Sequence, residues 1–375
     1  MVVYGFLAIS LTFLYVGIIR YYRYHWNKLP FFKLPNTYRP ATIVSVIIPA
    51  RNEATKIKAC LDSLCIQDYP ISLWEVILID DHSTDDTVKV VNECSLTNLQ
   101  IFSLPEGIKG KKAALAHGIN QASGELILTT DADCIVPGSW IRLMAGCYEQ
   151  TQAKFIAGPV IFEEEKSSFE RFQSLDFMGM MLITGAGIQG KFMHSSNGAS
   201  LAYPKKVYQQ LNGFEGIEHI ASGDDILFMQ KTTLAYPGQL FFLKNPAASV
   251  RTKAMSKISS FLSQRIRWGT KSSQYSEWKI TAILALVFFC CWSIILSGCM
   301  MFFFGGWMIV LFILQLLVKS IADYYFLRQA SRFFGKTELM RTFWSAQFWH
   351  IGYIAVVGLL ANLVKRYRWK GRKVQ

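Results

Sequence analysis

The sequence lacks the cysteine patterns of a structural metal site. Its eight cysteines include no C-x-x-C pair and no His/Cys spacing of the kind that holds zinc. Three of them lie inside one apolar run, at Cys290, Cys291 and Cys299. We therefore expect all eight thiols to be reduced and expect no zinc site. The sequence also contains no internal repeat and no low-complexity tract.

Basic charge is scarce in the middle of the chain. Residues 41–250 carry 16 Lys and Arg against 23 Asp and Glu, although the whole chain has a formal net charge of +13. The basic excess lies beside apolar runs, in the flanking segments 20–39, 251–279, 319–341 and 365–373. A nucleic-acid-binding protein normally carries its positive charge on the folded domain. This distribution instead indicates the cytoplasmic face of a membrane, and we expect no nucleic-acid partner.

Long apolar runs are abundant, with 51% hydrophobic residues and a mean hydropathy of +0.24. Residues 2–19 are eighteen uncharged residues, which is long enough to span a bilayer. The positive charge of Arg20 and Arg23 follows this run, whereas a signal peptide carries its charge before the apolar segment. We therefore expect a retained anchor whose N-terminus lies outside.

The C-terminal part contains three more uncharged runs, at 281–304, 307–318 and 343–364. Three spans after a cytoplasmic domain would place the basic tail outside, against the positive-inside rule. The number of spans and the side of the tail stay open, and the short run 307–318 is the first candidate for an interfacial or re-entrant segment. The predicted organisation is an anchor at 1–22, a linker at 23–42, a catalytic domain at 43–250, an amphipathic interfacial helix at 251–280, a transmembrane region at 281–364 and a basic tail at 365–375.

Apolar strand candidates alternate with helical segments in the predicted catalytic domain. They lie at 43–48, 74–79, 99–104 and 126–130, and a further run at 155–162 is typical of one more strand. Such alternation predicts an α/β fold with a doubly wound, mostly parallel sheet. Residues 172–188, which are rich in Met and Gly, are expected to form a core or interfacial helix.

Acidic residues follow two of these strands, Asp80 and Asp81 after one and Asp131 and Asp133 after another. In an open α/β sheet, ligands bind at the carboxyl ends of the strands. Paired carboxylates suit Mg²⁺ or Mn²⁺, which often hold substrate phosphates as well. The alternatives are an Asp-rich turn and helix capping, in which Ser83 or Thr84 would serve as the cap.

Residues 256–273 have apolar side chains at helical spacing together with basic residues. One interpretation is an amphipathic helix at the membrane surface, with Ile258, Phe261, Leu262 and Ile266 on its apolar face. The other is a helix that also covers a nucleotide site, where Trp268 stacks and Arg267 binds pyrophosphate.

Seven segments, taken in order, resemble the membrane-bound, inverting family 2 glycosyltransferases of the GT-A type. They are SVIIPARNEA (45–54), DDHSTDDT (80–87), GKKAALAHGI (110–119), TTDADC (129–134), SNGASLAYP (196–204), SGDD (222–225) and QRIRW (264–268). Together they cover about residues 43–270. A single such motif would be weak, but seven in the family's order at the predicted strand ends are strong evidence.

The resemblance implies a GT-A fold with flanking transmembrane helices and a role for each matching residue. Asp225 would be the catalytic base, and Asp131 and Asp133 would bind Mg²⁺ or Mn²⁺ in a DxD motif. The donor nucleotide would be bound by Pro49, Ala50, Arg51, Glu53, Asp80, Asp81, Lys111 and Asp131. The acceptor and diphosphate would be bound by Asp224, Gln264, Arg267 and Trp268. Gly223 departs from the Thr-Glu-Asp of many members, which leaves the role of Asp224 less defined.

The implied reaction moves a sugar, with inversion, from a nucleotide-sugar donor that is UDP-linked in much of the family. The first candidate acceptor is a hydroxyl of a membrane lipid or lipid-linked molecule, as in ceramide glucosyltransferases. The alternative is processive synthesis of a β-linked polysaccharide, which would take a growing glycan as acceptor and use a partner subunit. The implied location is the cytoplasmic face of a bacterial inner membrane. Neither the sugar nor the oligomeric state follows from the sequence.

Overall fold

The protein is described here from a computed structural model covering residues 1–192, 195–218, 220, 223–270, 277–363, 367–369 and 372–374. The chain forms two compact units. The helical unit comprises 1–28, 164–193 and 254–365, and the sheet unit comprises 29–163, 194–253 and 366–375. Segment 164–193, which contains the helix predicted at 172–188, therefore belongs to the helical unit although it lies between two segments of the sheet unit in the chain.

The described residues contain eleven strands and twelve α-helices. The strands are β1 (Val44–Ala50), β2 (Trp74–Asp80), β3 (Leu99–Ser103), β4 (Leu126–Thr129), β5 (Phe155–Ala157), β6 (Val160–Glu163), β7 (Leu201–Pro204), β8 (Leu240–Phe242), β9 (Val250–Lys253), β10 (Tyr367–Trp369) and β11 (Arg372–Val374). The helices are α1 (Val2–Lys28), α2 (Ile57–Cys65), α3 (Thr87–Asn92), α4 (Lys111–Gln121), α5 (Trp140–Thr151), α6 (Ser168–Gly190), α7 (Lys205–Gln210), α8 (Asp224–Ala235), α9 (Ile258–Gly269), α10 (Trp278–Phe304), α11 (Gly306–Phe333) and α12 (Phe343–Leu363). Short 3₁₀ helices lie at Ile71–Leu73, Pro246–Ala248 and Thr337–Thr342.

The sheet unit is built on a seven-stranded sheet with the order β3-β2-β1-β4-β7-β5-β8. Strands β1, β2, β3 and β4 are parallel to their neighbours within this set. Strand β7 runs antiparallel to both β4 and β5. The central strand β1 is completely buried at Val46, Ile47 and Ile48, as expected of an apolar strand covered on both faces. The predicted mostly parallel α/β sheet is confirmed.

The predicted single strand at 155–162 is wrong, because the chain forms two strands there. Strand β5 belongs to the large sheet, whereas β6 pairs in parallel with β9 in a separate two-stranded sheet. Pro159 lies between them and has no N–H to donate to a strand neighbour. Gly158 allows a close approach to the loop before β7, since a Cβ there would lie 2.2 Å from Ser200 Oγ.

Among the described residues of the helical unit, four helices are long and apolar enough to cross a membrane, by length and composition: Val2–Lys28, Trp278–Phe304, Gly306–Phe333 and Thr337–Ala361. The first of these helices is longer than the predicted anchor at 1–22, because it continues to Lys28. The run 307–318, which looked short in the sequence, is part of the continuous 28-residue helix α11. Its length removes the reason for treating it as interfacial.

Helix α6 packs within the helical unit against α1, α11 and α12. Its buried side chains include Phe172, Leu175, Met178 and Leu182. This burial favours the core alternative for the segment predicted at 172–188.

Helix α9 confirms the helix predicted within 256–273, and Phe261 of its predicted apolar face is buried. Ile258 is 49% exposed, and the helix buries Arg265 beside Phe261. Arg265 Nη2 lies 2.8 Å from Asp176 Oδ2 on α6, and Tyr353 of α12 donates to the other carboxylate oxygen at 2.9 Å. An arginine is buried here because this counter-charge comes with it.

Replacing Arg265 by Met should strongly destabilise the protein. The pair is nearly excluded from solvent, with 5% and 7% side-chain exposure for Arg265 and Asp176. Removing one partner of such a pair typically costs about 3–5 kcal/mol, because the other group stays buried without its counter-charge. Thermal unfolding of the purified protein in detergent would measure the loss.

Arg142→Met is a matched control for that variant. Arg142 forms a 3.4 Å pair with Asp68 in which both side chains are well exposed, so its loss should cost at most about 1 kcal/mol. Equal destabilisation by the two substitutions would show that burial of the Arg265–Asp176 pair has no energetic consequence.

Candidate active site

The ends of four strands bring the predicted site residues of the sheet unit to one edge. Strands β2, β1 and β4 are adjacent and parallel, so their carboxyl ends lie together, and Ala50 pairs in register with Asp80. Because β7 is antiparallel to β4, its first residue, Leu201, pairs with Thr129 at the end of β4. The loop before β7 therefore arrives at the same edge as Asp131.

Lys111 lies among the acids at this edge. Its Nζ is 2.7 Å from Asp131 Oδ1 and 3.2 Å from Asp224 Oδ2. Burial alone would lower the pKa of Lys111, but the carboxylates of Asp131, Asp224 and Asp225 outweigh burial and raise it. Lys111 therefore carries a positive charge at neutral pH and joins the DxD segment to the start of α8.

Asp225 is the second residue of α8, and backbone N–H groups hold both of its carboxylate oxygens. Gly198 N donates to Oδ2 at 3.1 Å, and Ile226 N donates to Oδ1 at 2.8 Å. Asp225 is half-buried, whereas the side chain of Asp224 is only 7% exposed. Of these two acids, Asp225 is thus the more accessible to a second substrate.

Gly198 is a part of the cluster that the sequence-based site assignment omitted. A Cβ at this position would lie 2.9 Å from Lys111 Nζ and 3.2 Å from Asp224 Oδ2, so a larger side chain would push into the ion pair. The signal was present in the small-residue segment 196–204, although the segment alone does not show which backbone N–H reaches Asp225.

Asp131 and Asp133 form the acidic part of a possible metal site with Cys134. One ligand atom from each of the three lies within 4.8 Å of the others. Burial, and then the charges of Asp133 and Asp131, raise the pKa of the Cys134 thiol. Mg²⁺ and Mn²⁺ prefer oxygen ligands, so the two carboxylates are the expected ones. Two carboxylates suit Mg²⁺ or Mn²⁺, which commonly take further oxygen ligands from substrate phosphates.

Lys56, which the sequence-based assignment missed, also contacts the DxD pair. Its Nζ lies 3.3 Å from Asp133 Oδ2, and its side chain is 53% exposed. Burial lowers the pKa of Lys56, but Asp133 and Glu53 raise it by more. Each DxD carboxylate therefore has a lysine beside it, Lys111 for Asp131 and Lys56 for Asp133.

The predicted nucleotide-binding residues form a wall at the ends of β1 and β2. Arg51 Nη1 donates to the carbonyl oxygens of Asp81 and His82 at 2.5 and 2.6 Å. Asp81 Oδ2 accepts a hydrogen bond from Gly110 N at 3.1 Å, which ties this wall to the start of α4. Asp80, Asp81 and Glu53 are buried, and Pro49 and Ala50 are the last two residues of β1.

The predicted cap by Ser83 or Thr84 is wrong, because α3 begins only at Thr87. Ser83 Oγ instead accepts a hydrogen bond from Asn52 N at 3.0 Å. Asp85 Oδ1 accepts from Thr87 N at 3.1 Å, which satisfies a donor at the start of α3. The polar residues of 80–87 thus mainly connect the ends of β1 and β2.

Gln264, Arg267 and Trp268 lie on α9 in the helical unit. The guanidinium of Arg265 lies 4.5 Å from the ring centroid of Trp268, and Phe177 packs nearby at 6.5 Å. Trp268 thereby has a packing role within its own unit. Ser222 and Lys271, which belong to segments singled out in the sequence, fall outside the described residues.

Residues 45–211 match the profile of Glycosyl transferase family 2. The chain is 33% identical over 141 residues to Glycosyltransferase AglE of Haloferax volcanii, covering 36% of this chain and 46% of the relative. It is 26% identical over 277 residues to Probable glycosyltransferase YdaM of Bacillus subtilis, covering 72% and 64%. The matches therefore span less than two thirds of either relative.

The fold resembles that of the mannosyltransferase PcManGT from Pyrobaculum calidifontis, whose structure was solved in complex with GDP-Man and Mn²⁺. The TM-score is 0.60 at 21% sequence identity, and the likeness covers 95% of this chain and 99% of the other. At this identity the likeness concerns the fold. Together with the sheet order, it confirms the expected GT-A architecture with apolar N- and C-terminal helices.

Proposed function

We propose that this chain is a membrane-bound glycosyltransferase that moves a sugar from a nucleotide-sugar donor to a hydroxyl of a membrane lipid or lipid-linked acceptor, with inversion. The observation that carries the proposal is the contact of Lys111 with Asp131 and Asp224, beside Asp225. One basic residue thereby links a DxD segment to a candidate base at the ligand-binding edge of the sheet.

On the donor side, Asp131 and Asp133 would hold Mg²⁺ or Mn²⁺. When bound, such an ion offsets the charge that develops on the leaving diphosphate. Lys111 supplies a fixed positive charge at the same place. The wall formed by Arg51, Asp80 and Asp81, with Pro49, Ala50 and Glu53, would hold the base and ribose of the nucleotide.

On the acceptor side, Asp225 would act as the general base. The acceptor hydroxyl gives its proton to a carboxylate oxygen of Asp225 while its own oxygen bonds to the anomeric carbon. The bond from that carbon to the diphosphate breaks, and its electron pair leaves with the nucleoside diphosphate. A single displacement of this kind inverts the anomeric centre and needs one base.

Gln264, Arg267 and Trp268 would contact the diphosphate and the acceptor, because a planar guanidinium suits phosphate recognition. Asp224 would contribute to the acceptor side by fixing Lys111 through their 3.2 Å ion pair. The catalytic domain would face the cytoplasm of a bacterial cell from the inner membrane.

A lipid acceptor is favoured over a growing polymer because of the small number of candidate membrane helices. The described part of the chain has four, which is few for a self-contained channel that threads a polysaccharide. Processive synthesis of a β-linked polysaccharide, with a partner subunit that completes a channel, is the second candidate.

Membranes that contain the protein should transfer label from a radioactive nucleotide sugar into the organic phase of a solvent partition. We expect one sugar per lipid, because each transfer uses one hydroxyl and the product leaves. The same membranes carrying Asp225→Asn are the control. A water-soluble or insoluble labelled polymer would refute the lipid acceptor and support the second candidate.

A further inference from the structure

An open groove of about 340 Å³ lies between α1 and α11 within the helical unit. One end is apolar and is lined by Val16, Ile19, Val318, Ile321 and Ala322. The other end is lined by Arg20, Arg23 and Tyr325. Both helices are candidate spans, so the groove is a recess along the side of a membrane helix pair. Its volume is within the range of ligand sites.

Arg20 and Arg23 supply the positive charge at one end of this groove. Among the described residues, no carboxylate forms an ion pair with either of them. Arg23 Nε is buried without a hydrogen-bond acceptor, and its guanidinium carbon lies 5.3 Å from the ring centroid of Tyr325. A buried donor on a charged group is costly unless an anion or another acceptor meets it.

The order of the lining residues matches the order of groups in a membrane lipid. Val16 and Arg23 are separated by seven residues of helix, which is about 10 Å along the axis. The apolar end would lie within the hydrocarbon and the guanidinium groups at its edge. Arginine binds phosphate through paired hydrogen bonds, and basic pockets between membrane helices on the cytoplasmic side suit anionic head groups.

We propose that this groove binds an anionic bilayer phospholipid, with its phosphate at Arg20 and Arg23 and one chain along the apolar end. The lining residues all lie outside the residues assigned to sugar transfer, so the site is a binding site for a resident lipid in addition to the proposed acceptor site. The proposal does not depend on the transfer reaction and can be tested without it.

The test is a titration of the detergent-solubilised full chain with phosphatidylglycerol, followed by thermal unfolding, with phosphatidylcholine as the neutral lipid. We expect phosphatidylglycerol to raise the unfolding midpoint of the wild-type protein by several degrees. In the double variant Arg20→Gln/Arg23→Gln, the concentration needed for half of this effect should rise about 30-fold, since each basic residue contributes about a factor of five.

Two further variants separate this site from general attraction to basic surface. Arg328→Gln/Arg332→Gln removes two exposed charges of α11 outside the groove lining and should respond as the wild type does. Ala322→Trp keeps both arginines but fills the apolar end, and should lose the response.

Equal stabilisation of the wild type by the two lipids would overturn the proposal. So would an unchanged phosphatidylglycerol response in Arg20→Gln/Arg23→Gln or in Ala322→Trp. Failure of the sugar-transfer assay would leave these results unaffected, since no donor or acceptor is present in the titration.

Discussion

The Asp225→Asn variant is expected to transfer sugar about 10²- to 10⁴-fold more slowly than the wild type, which is the usual contribution of a positioned general base. An amide cannot take the proton of the acceptor hydroxyl at neutral pH. Asn keeps the size of the side chain and one of the two oxygens that accept from Gly198 N and Ile226 N. The rate of transfer, measured at saturating donor, is the quantity that should fall.

Binding of the nucleoside diphosphate should persist in this variant, because Lys111 keeps its contacts with Asp131 and Asp224 on the donor side of the cluster. Asp86→Asn is the matched control, since Asp86 is an exposed aspartate at the N-terminus of α3. It should transfer sugar at the wild-type rate. If Asp225→Asn retains full activity, Asp225 is not the base.

The second large effect is expected for Asp131→Asn, which should weaken donor binding more than about 10-fold in the presence of Mn²⁺ and should not weaken it in its absence. A carboxylate next to the diphosphate repels it unless a cation lies between them, so the contribution of Asp131 should appear only with the metal. Titration of the nucleoside diphosphate with Mn²⁺ and with a chelator would measure both affinities.

Lys111→Met separates the metal contribution from that of the neighbouring lysine. Loss of this fixed charge should weaken binding of the nucleoside diphosphate with and without Mn²⁺. Asp131→Asn should weaken it only in the presence of Mn²⁺. Asp62→Asn is the control for Asp131→Asn, because Asp62 is paired with Lys58 on an exposed helix surface. An Asp131→Asn variant with wild-type Mn²⁺ dependence would exclude a metal role for this residue.

The strands that carry the site were predictable because their sequences leave few alternatives. Each of β1, β2 and β4 is a short apolar run that ends in a polar segment, and this pattern alone gives the edge at which Asp80 and Asp131 lie. The break between β5 and β6 was missed, although Gly158 and Pro159 stood in the run. The run 155–162 is apolar throughout, and hydropathy alone does not show that β5 and β6 belong to different sheets.

Contacts between residues far apart in the chain could not be predicted. Arg265 is buried because it pairs with Asp176, 89 residues away. A pattern of hydrophobic residues does not reveal a buried ion pair. The donor to Asp225 is Gly198, 27 residues away. Its position depends on the reversed direction of β7, which no local pattern shows. The sequence thus proposed a set of site residues and left open which of them touch.

The interruption of the sheet unit by α6 limits how the protein can be divided. Residues 164–193 belong to the helical unit although they lie between β6 and β7 in the chain. A fragment trimmed at both ends to 29–253 would keep α6 and lose α1, α11 and α12, against which it packs. Phe172, Leu175 and Leu182, all buried in the full chain, would then face water. A soluble catalytic fragment therefore requires a short linker in place of this internal segment, and removal of the terminal helices alone would yield an aggregating product.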